Sequence, residues 1–147
     1  MTSYLLDTNL LVRSCDPAAS SYVQATNAVS SLLADGEQVY VSAQNLIEFW
    51  AVATRPILSN GLGLDREQAI LEIEQILNQF ALLQDNPTIF AHWWQLVTTQ
   101  NIAGKRVHDA RLVAVMLAYG ITHLLTFNTQ DFKSFTTIAL VHPEDVN

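Results

Sequence analysis

The chain has 147 residues, a length that suits one domain, and hydrophobic types make up 50% of it against 14% charged residues. That composition excludes a disordered or fibrous protein, because it allows a large buried core. Seven basic and 14 acidic residues give a net charge of −7, so a general basic surface is excluded as the means of binding a polyanion. Such a partner would need metal ions or a local basic patch.

The single cysteine, Cys15, cannot form an internal disulfide, which excludes a disulfide-stabilised secreted fold. The first apolar run stops at Asp7 with no basic stretch before it, which is not typical of a secretory signal. The longest apolar stretch, Leu112–Tyr119, is far shorter than the roughly 20 residues that span a bilayer. We therefore expect a single cytoplasmic domain over residues 1–147, with no membrane partner.

The first half of the chain alternates between short apolar runs and helical patterns. In chain order the predicted elements are a strand at Tyr4–Leu6, a helical turn from Leu10, a helix over Ala18–Leu33, a strand at Gln38–Ser42 and a buried helix over Ala43–Thr54. Pro56 ends that helix, and residues 58–63, which contain two glycines, predict a loop.

The second half continues the alternation. Asp65 and Gln68 have the spacing of a capping box and predict the start of a helix. The predicted elements are helices over Asp65–Phe80, from Asp85-Asn86-Pro87 to Asn101, and over Arg106–Tyr119, then strands at Thr122–Thr126 and Ile138–Val141. Strands that are apolar on both faces and alternate with helices predict an α/β fold with a mainly parallel central sheet flanked by helices.

Four acidic residues lack an obvious role as a turn, cap or surface residue. Asp7 ends a buried strand, Glu48 interrupts an apolar helix, Asp109 begins a buried helix and Asp131 follows another strand. Each has a structural alternative: a helix cap, an ion pair, compensation of a helix dipole and a loop acid, respectively. Strand ends and helix starts meet at one edge of a parallel sheet, so convergence at that edge would explain all four.

Clustered carboxylates repel one another unless a cation neutralises them. Oxygen ligands suit hard ions such as Mg²⁺ or Mn²⁺ rather than zinc. A zinc site is also disfavoured because Cys15 has no close histidine partner and the histidines are scattered along the chain, at His92, His108, His123 and His142. The acids therefore indicate a magnesium or manganese site.

Four segments resemble the four motifs of PIN-domain nucleases, in order and across nearly the whole chain. They are Leu5–Asn9, Asn45–Trp50, Val107–Leu112 and Leu125–Phe132. The sequence is most similar to VapC-type toxins of type II toxin–antitoxin pairs, and residues 51–56 and 60–64 also resemble a branch of those toxins. The resemblance implies a PIN-like three-layer sandwich, an Mg²⁺- or Mn²⁺-dependent endoribonuclease, a cognate antitoxin and a homodimer.

The resemblance also implies the roles of individual residues. The acids that would hold one or two metal ions and activate water against an RNA phosphodiester are Asp7, Glu48, Asp109 and Asp131. The residues that would orient those carboxylates or contact phosphate are Thr8, Asn9, Thr126 and Asn128. Some relatives carry an acid at the position of Asn128, so either Asn128 or Asp131 can be the fourth ligand.

Basic residues beside the motifs are candidates for contact with RNA phosphates, namely Arg13, Arg55, Lys105 and Arg111. Each can equally form an ion pair or lie solvated on the surface. The adjacent Trp93 and Trp94 cannot face the same way on one helix, so we expect Trp93 in the core and Trp94 nearer the surface. A base-stacking role for Trp94 is the less favoured interpretation.

Two other functions remain open. A phosphatase similar to haloacid-dehalogenase-like enzymes would use Asp7 as its nucleophile, but Asn9 stands where such enzymes carry a proton-donating acid. A catalytically inactive PIN-fold interaction module would keep the fold without turnover. Loss of metal-dependent cleavage in Asp7→Asn would separate the nuclease from the module. The sequence identifies neither the RNA nor the antitoxin.

Overall fold

Five parallel strands form a single sheet in the computed structural model, which describes residues 1–147. The strands are β1 (Ser3–Leu6), β2 (Gln38–Ser42), β3 (Ala81–Leu83), β4 (His123–Leu125) and β5 (Ala139–Val141). Their order across the sheet is β3-β2-β1-β4-β5, and all four pairings are parallel. This confirms the predicted parallel sheet and places β1 at its centre.

Six helices connect the strands. They are α1 (Thr8–Ser14), α2 (Tyr22–Ala34), α3 (Ala43–Thr54), α4 (Arg66–Gln79), α5 (Pro87–Thr99) and α6 (Arg106–Tyr119). Three short 3₁₀ turns lie at Ile57–Ser59, Thr129–Phe132 and Pro143–Asp145. The Asp65–Gln68 capping box forms as predicted, and Gly120 ends α6 with a left-handed φ of 69°. None of the helices has the length and apolar character needed to cross a membrane.

The sheet separates two hydrophobic cores. One, of 16 buried residues, lies against α5 and α6, and the other, of 14, lies against α1 to α4. Successive residues of a strand point to opposite faces, so Leu5 enters the first core and Leu6 the second. The same alternation places Leu124 and Leu125 on opposite faces. The predicted layers of helix, sheet and helix are thus confirmed.

Two element predictions were wrong. β3 was not predicted, because it has only three residues and directly follows the apolar pattern of α4; its backbone pairing with β2 defines it. The helix expected from Ala18 begins at Tyr22. Asp16 accepts a hydrogen bond from the Ala18 N–H and from the Ala19 N–H, and this turn occupies the start of the expected helix.

Candidate functional site

Asp7 lies at the carboxyl edge of the sheet, directly after the central strand β1. It caps α1, because one carboxylate oxygen accepts a hydrogen bond of 2.8 Å from the Thr8 N–H. The other oxygen accepts a bond of 2.7 Å from the hydroxyl of Thr126, which follows β4. The capping alternative for Asp7 is therefore correct, but it leaves Asp7 facing the neighbouring strand end as the site hypothesis requires.

Glu48 is held by polar side chains. Thr8 donates its hydroxyl to one oxygen of Glu48 at 2.8 Å, and Gln44 donates its amide to the other at 3.5 Å. Asn45, which is fully buried, donates to the same Thr8 hydroxyl at 3.2 Å. Neither Lys nor Arg forms a salt bridge with Glu48, so the ion-pair alternative for this residue was wrong.

Thr126 joins the first and fourth motifs. Besides donating to Asp7, its fully buried hydroxyl accepts hydrogen bonds from the Asn128 N–H at 2.9 Å and from the Asn9 side chain at 3.4 Å. Asn9 also accepts from the Phe127 N–H at 3.4 Å. Asn9 thus connects α1 to the loop after β4. Its side chain is an amide, which cannot act as the proton-donating acid that the phosphatase alternative would need.

Asp109 lies in the first turn of α6, where the helix dipole favours a negative charge. Burial nevertheless raises its pKa to about 6, and the negative charges of the other three acids, Asp7, Asp131 and Glu48, add to the increase. Arg106 partly offsets them. The four acids are therefore close enough to act on one another.

The pKa of Asp7 is also raised, mainly by burial. The hydrogen bonds from Thr126 and Thr8 oppose that increase, and the charges of Glu48 and Asp131 reinforce it. A partly buried carboxylate beside like charges is unfavourable in its ionised form. The carboxyl edge of the sheet thus concentrates negative charge that no salt bridge neutralises.

The donor set fits a hard divalent cation in its chemistry. Every candidate ligand is a carboxylate or amide oxygen, and a bound cation would relieve the repulsion that adds to the burial-raised pKa values of Asp7 and Asp109. No three acidic, histidine or cysteine side chains are arranged as a ready-made metal-binding group. The four acids affect one another through their charges, and their role as a metal site stays a prediction.

The fourth motif presents two candidates of different character. Asp131 lies exposed in the 3₁₀ turn Thr129–Phe132, and its charge contributes to the raised pKa values of Asp7 and Asp109. Asn128 contacts the network through its backbone N–H, which donates to Thr126. Of the two side chains, the structure therefore links only that of Asp131 to the other acids.

The four basic candidates have different surroundings. Arg111 donates to Gln44 at 2.9 Å and forms a salt bridge of 3.2 Å with Asp85. Arg13 donates to Ser21 at 2.8 Å. Arg55 and Lys105 are exposed. Only Arg111 is connected, through Gln44, to one of the four acids.

Sequence reasoning missed the residues that support Glu48. Ser42 and Asn45 form a reciprocal capping box at the start of α3, and Gln44 links Glu48 to the His108 carbonyl at 2.9 Å. The spacing of Ser42 and Asn45 resembles a capping box, and a buried amide in an apolar helix requires a partner. These two signals could have identified the network. Nothing in the sequence indicates the Asp85–Arg111 pair.

The fold and the carboxyl-edge acids together define an α/β domain with an acidic site at the topological centre of its sheet. The sequence matches the family model of the PIN domain over residues 4–137. The chain therefore belongs to the PIN domain family, and its layers are those of the PIN-like sandwich that the sequence predicted.

Solved structures share this fold at low sequence identity. VapBC2 from Rickettsia felis, bound to a DNA fragment from its promoter, has a TM-score of 0.72 at 20% identity, covering 96% of this chain and 98% of the other. VapBC-1 from nontypeable Haemophilus influenzae has a TM-score of 0.71 at 18% identity, covering 97% of this chain and 99% of the other. VapC20 from Mycobacterium tuberculosis, a sarcin-ricin loop cleaving toxin, has a TM-score of 0.68 at 16% identity, covering 89% of this chain and 94% of the other. Comparison with curated protein sequences gave no significant match.

Proposed function

We propose that this protein is a divalent-metal-dependent endoribonuclease and the toxin of a toxin–antitoxin pair. The observation that carries the proposal is the interaction of four carboxylates at one edge of the sheet: burial, with the added charges of Asp7, Asp131 and Glu48, raises the pKa of Asp109 to about 6, and none of the four acids forms a salt bridge. Membership of the PIN domain family supports nuclease activity. The likeness to toxins of toxin–antitoxin complexes supports the biological role.

In this proposal the ligands of one or two Mg²⁺ or Mn²⁺ ions are Asp7, Glu48, Asp109 and Asp131. The bound ion would lower the pKa of a water and stabilise charge on the leaving oxygen. Thr126 and the Thr8 N–H fix both oxygens of Asp7, and the Thr8 hydroxyl fixes one oxygen of Glu48. These bonds hold two carboxylates in place before any cation or substrate arrives, as supporting groups do in metal sites.

Asp131 is assigned as the fourth acid and Asn128 as a backbone support. The side chain of Asp131 acts electrostatically on Asp7 and Asp109, whereas Asn128 contributes an N–H to Thr126. Asn9 would keep the loop after β4 against α1 through Thr126 and Phe127. The RNA would meet positive charge at Arg111, with Arg13, Arg55 and Lys105 as further candidates for phosphate contacts.

Protein partners belong to the same proposal. An apolar groove of about 510 Å³ lies between α3 and α4, and its lining residues are Leu46, Ile47, Trp50, Ile70, Ile73 and Glu74. Such a groove suits the apolar face of a partner helix. We propose a cognate antitoxin and a homodimer, by analogy with the toxin–antitoxin complexes that share the fold.

Cleavage of labelled total RNA by the purified protein tests the proposal. The reaction is run with Mn²⁺ or Mg²⁺, with EDTA, and with Asp7→Asn in place of the wild type. Asp35→Asn is the matched control, because Asp35 is an exposed acid at the end of α2, outside the site. Metal-dependent cuts made by the wild type and by Asp35→Asn, but not by Asp7→Asn, are the expected result.

The same experiment decides between the nuclease and the inactive PIN-fold module. Wild-type protein that is folded but makes no cuts with either metal would contradict the nuclease and favour the module. Cuts that persist in EDTA or in Asp7→Asn would show that the four acids are not the catalytic site. Sequencing the ends of the expected products would identify the RNA.

A further inference from the structure

An exposed aromatic surface lies on α5, formed by Phe90, Trp93 and Trp94. Phe90 and Trp94 are 66% and 56% exposed. Their rings stack with an angle of 15° between the planes and 6.3 Å between the centroids. Trp93 adjoins both, with centroids 5.7 Å and 6.4 Å away. Three adjoining rings form a contiguous apolar patch, which marks a binding site more often than a single exposed residue does.

The aromatic surface is fixed next to the helix that carries Asp109. Trp93 is partly buried against the core, and its indole N–H donates to the Val107 carbonyl at 2.8 Å. Val107 lies two residues before Asp109 in the first turn of α6. The position of the rings relative to Asp109 is therefore set by a direct hydrogen bond between α5 and α6.

Two open clefts connect the aromatic surface to the acids, and Arg111 lines both. The first, of about 370 Å³, is lined by Asn86, Ile89, Phe90, Trp93 and Arg111. The second, of about 390 Å³, is lined by Gln44, Ile47, Glu48, Asp85, His108 and Arg111. A guanidinium group thus separates a flat aromatic wall from one of the proposed metal ligands.

We propose that the aromatic surface stacks an unpaired RNA base while Arg111 contacts an adjoining phosphate, so that the scissile phosphodiester is placed at the four acids. The inference rests on the proposed nuclease function and adds to it a base-binding surface that lies outside the four acids. Every base has a flat face that stacks on aromatic rings, and a guanidinium binds phosphate. Bases inside a duplex are already stacked, so the surface would select loops or single strands.

The salt bridge with Asp85 fits this role. In the free protein Asp85 accepts from Arg111 at 3.2 Å, and both side chains are partly exposed, at 52% and 35%. A pair of this kind is held weakly, because water screens it. An RNA phosphate could therefore take the place of Asp85 while Gln44 keeps the guanidinium in position through its bond of 2.9 Å.

Binding of a short unstructured RNA, labelled with fluorescein and followed by anisotropy, tests the inference. All proteins carry Asp7→Asn and are measured with Mg²⁺, so that the RNA stays intact. Trp94→Ala and Phe90→Ala remove the exposed rings, and Trp94→Phe restores a ring. Leu58→Ala is the matched control, since Leu58 is a fully exposed apolar side chain in the 3₁₀ turn Ile57–Ser59 and lines neither cleft. Thermal unfolding checks that each variant is folded.

We expect Trp94→Ala to weaken binding of the unpaired RNA roughly tenfold, within the range for the loss of one stacked base. Trp94→Phe should recover most of the affinity, and Leu58→Ala should leave it unchanged. Binding of a fully paired RNA duplex should be the same in all variants. The corresponding single variants with Asp7 intact should show a raised KM for RNA cleavage with a smaller change in kcat.

Three results would overturn the inference. One is unchanged RNA binding in both alanine variants, and another is an equal loss for the unpaired RNA and the duplex. The third is a change in oligomeric state without a change in RNA binding, which would assign the surface to a second copy of the chain. Absence of cleavage by the wild type would instead contradict the proposed nuclease, and the binding comparison would still decide the role of the surface.

Discussion

The two halves of the candidate site differ in how their carboxylates are held. Asp7 and Glu48 accept hydrogen bonds from Thr126 and from the backbone and side chain of Thr8, which fix their positions. Asp109 and Asp131 have no such support and interact with the first half through charge. The half built on β1 and α3 is therefore preorganised, whereas the half on α6 and the 3₁₀ turn lacks such hydrogen bonds, and we propose that a bound cation would hold it.

This difference links the stability of the domain to its proposed activity. Hydrogen bonds to the ionised form stabilise Asp7 and Glu48, but the four like charges oppose one another. A cluster of this kind costs the metal-free protein stability, and the cost is the reason the site would attract a cation. Substitutions that alter the hydrogen bonds of the first half, or the charges of either half, therefore test this link.

The largest effect is expected from Asp7→Asn, which removes a carboxylate of the preorganised half. We expect RNA cleavage to fall by more than about a hundredfold, since loss of even a supporting group in a metal site costs 10- to 100-fold. The free energy of unfolding without metal should not fall, because Asn keeps the cap of α1 and removes a buried like charge. Activity assays and urea unfolding measure the two quantities. Lost stability together with lost activity would contradict the account.

The second prediction removes one hydrogen bond from the preorganised half. Thr126→Val keeps the shape but removes the hydroxyl that donates to Asp7 and accepts from the Asn128 N–H. We expect cleavage to fall about 10- to 100-fold and stability to fall by about 0.5 to 1.5 kcal/mol, because the hydrogen bonds of the Thr126 hydroxyl to Asp7 and Asn128 are lost. Thr126→Ser keeps the hydroxyl and should retain most of the cleavage activity and most of the stability. Equal effects of Val and Ser would show that the methyl group matters instead.

The third prediction compares the two candidates for the fourth ligand. Asp131→Asn should lower cleavage roughly tenfold and raise the metal concentration required, in keeping with loss of a weakly held metal ligand. Asn128→Ala should change cleavage little, because Asn128 acts through its backbone N–H. Metal titrations of the cleavage rate measure both. A larger loss in Asn128→Ala than in Asp131→Asn would reverse the assignment.

The smallest effect concerns the pH dependence of stability. In the folded state the pKa of Asp109 is raised from 3.8 to about 6. For an acid with a raised pKa, the contribution to stability is fully present below the unfolded value and is lost as the pH rises through the folded one. Metal-free wild type and Asp109→Asn should therefore unfold at similar temperatures at about pH 4. At about pH 7 the unfolding temperature of Asp109→Asn should be slightly higher than that of the wild type. Since Asp109 is half-exposed, the difference should be small.

Mn²⁺ provides the control for that comparison. At about pH 7 it should raise the unfolding temperature of the wild type more than that of Asp109→Asn, because a ligand that binds the folded state stabilises it. An unfolding temperature that is independent of pH in both proteins would show that the charges of the second half do not affect stability.

The sequence allowed prediction of those features that depend on local signals. The strand that ends at Asp7, the Asp65–Gln68 capping box and the Gly120 end of α6 each follow from a few neighbouring residues. The parallel sheet followed from apolar strands alternating with helices. The rule that parallel strands present their carboxyl ends at one edge also predicted that the four acids converge there, and their joint site stays a prediction.

Features that depend on contacts distant in sequence were not predicted. β3 is defined by its pairing with β2, and the Asp85–Arg111 salt bridge joins the start of α5 to α6. The bond from Thr8 to Glu48 crosses 40 positions of the chain, so the sequence implied a supporting role for Thr8 without indicating which carboxylate it holds. These contacts exist only once the sheet order is set, so a pattern within a short window cannot indicate them.

Titration calorimetry of Mn²⁺ binding at about pH 6, in buffers of different ionisation enthalpy, tests the central claim most directly. If the four acids bind one metal centre, the wild type will bind Mn²⁺ and release part of a proton, because a cation lowers the pKa of Asp109. Asp109→Asn will bind more weakly and release less, and Asp35→Asn will match the wild type. No Mn²⁺ binding, or the same proton release in Asp109→Asn, would contradict the claim that these acids form a metal site.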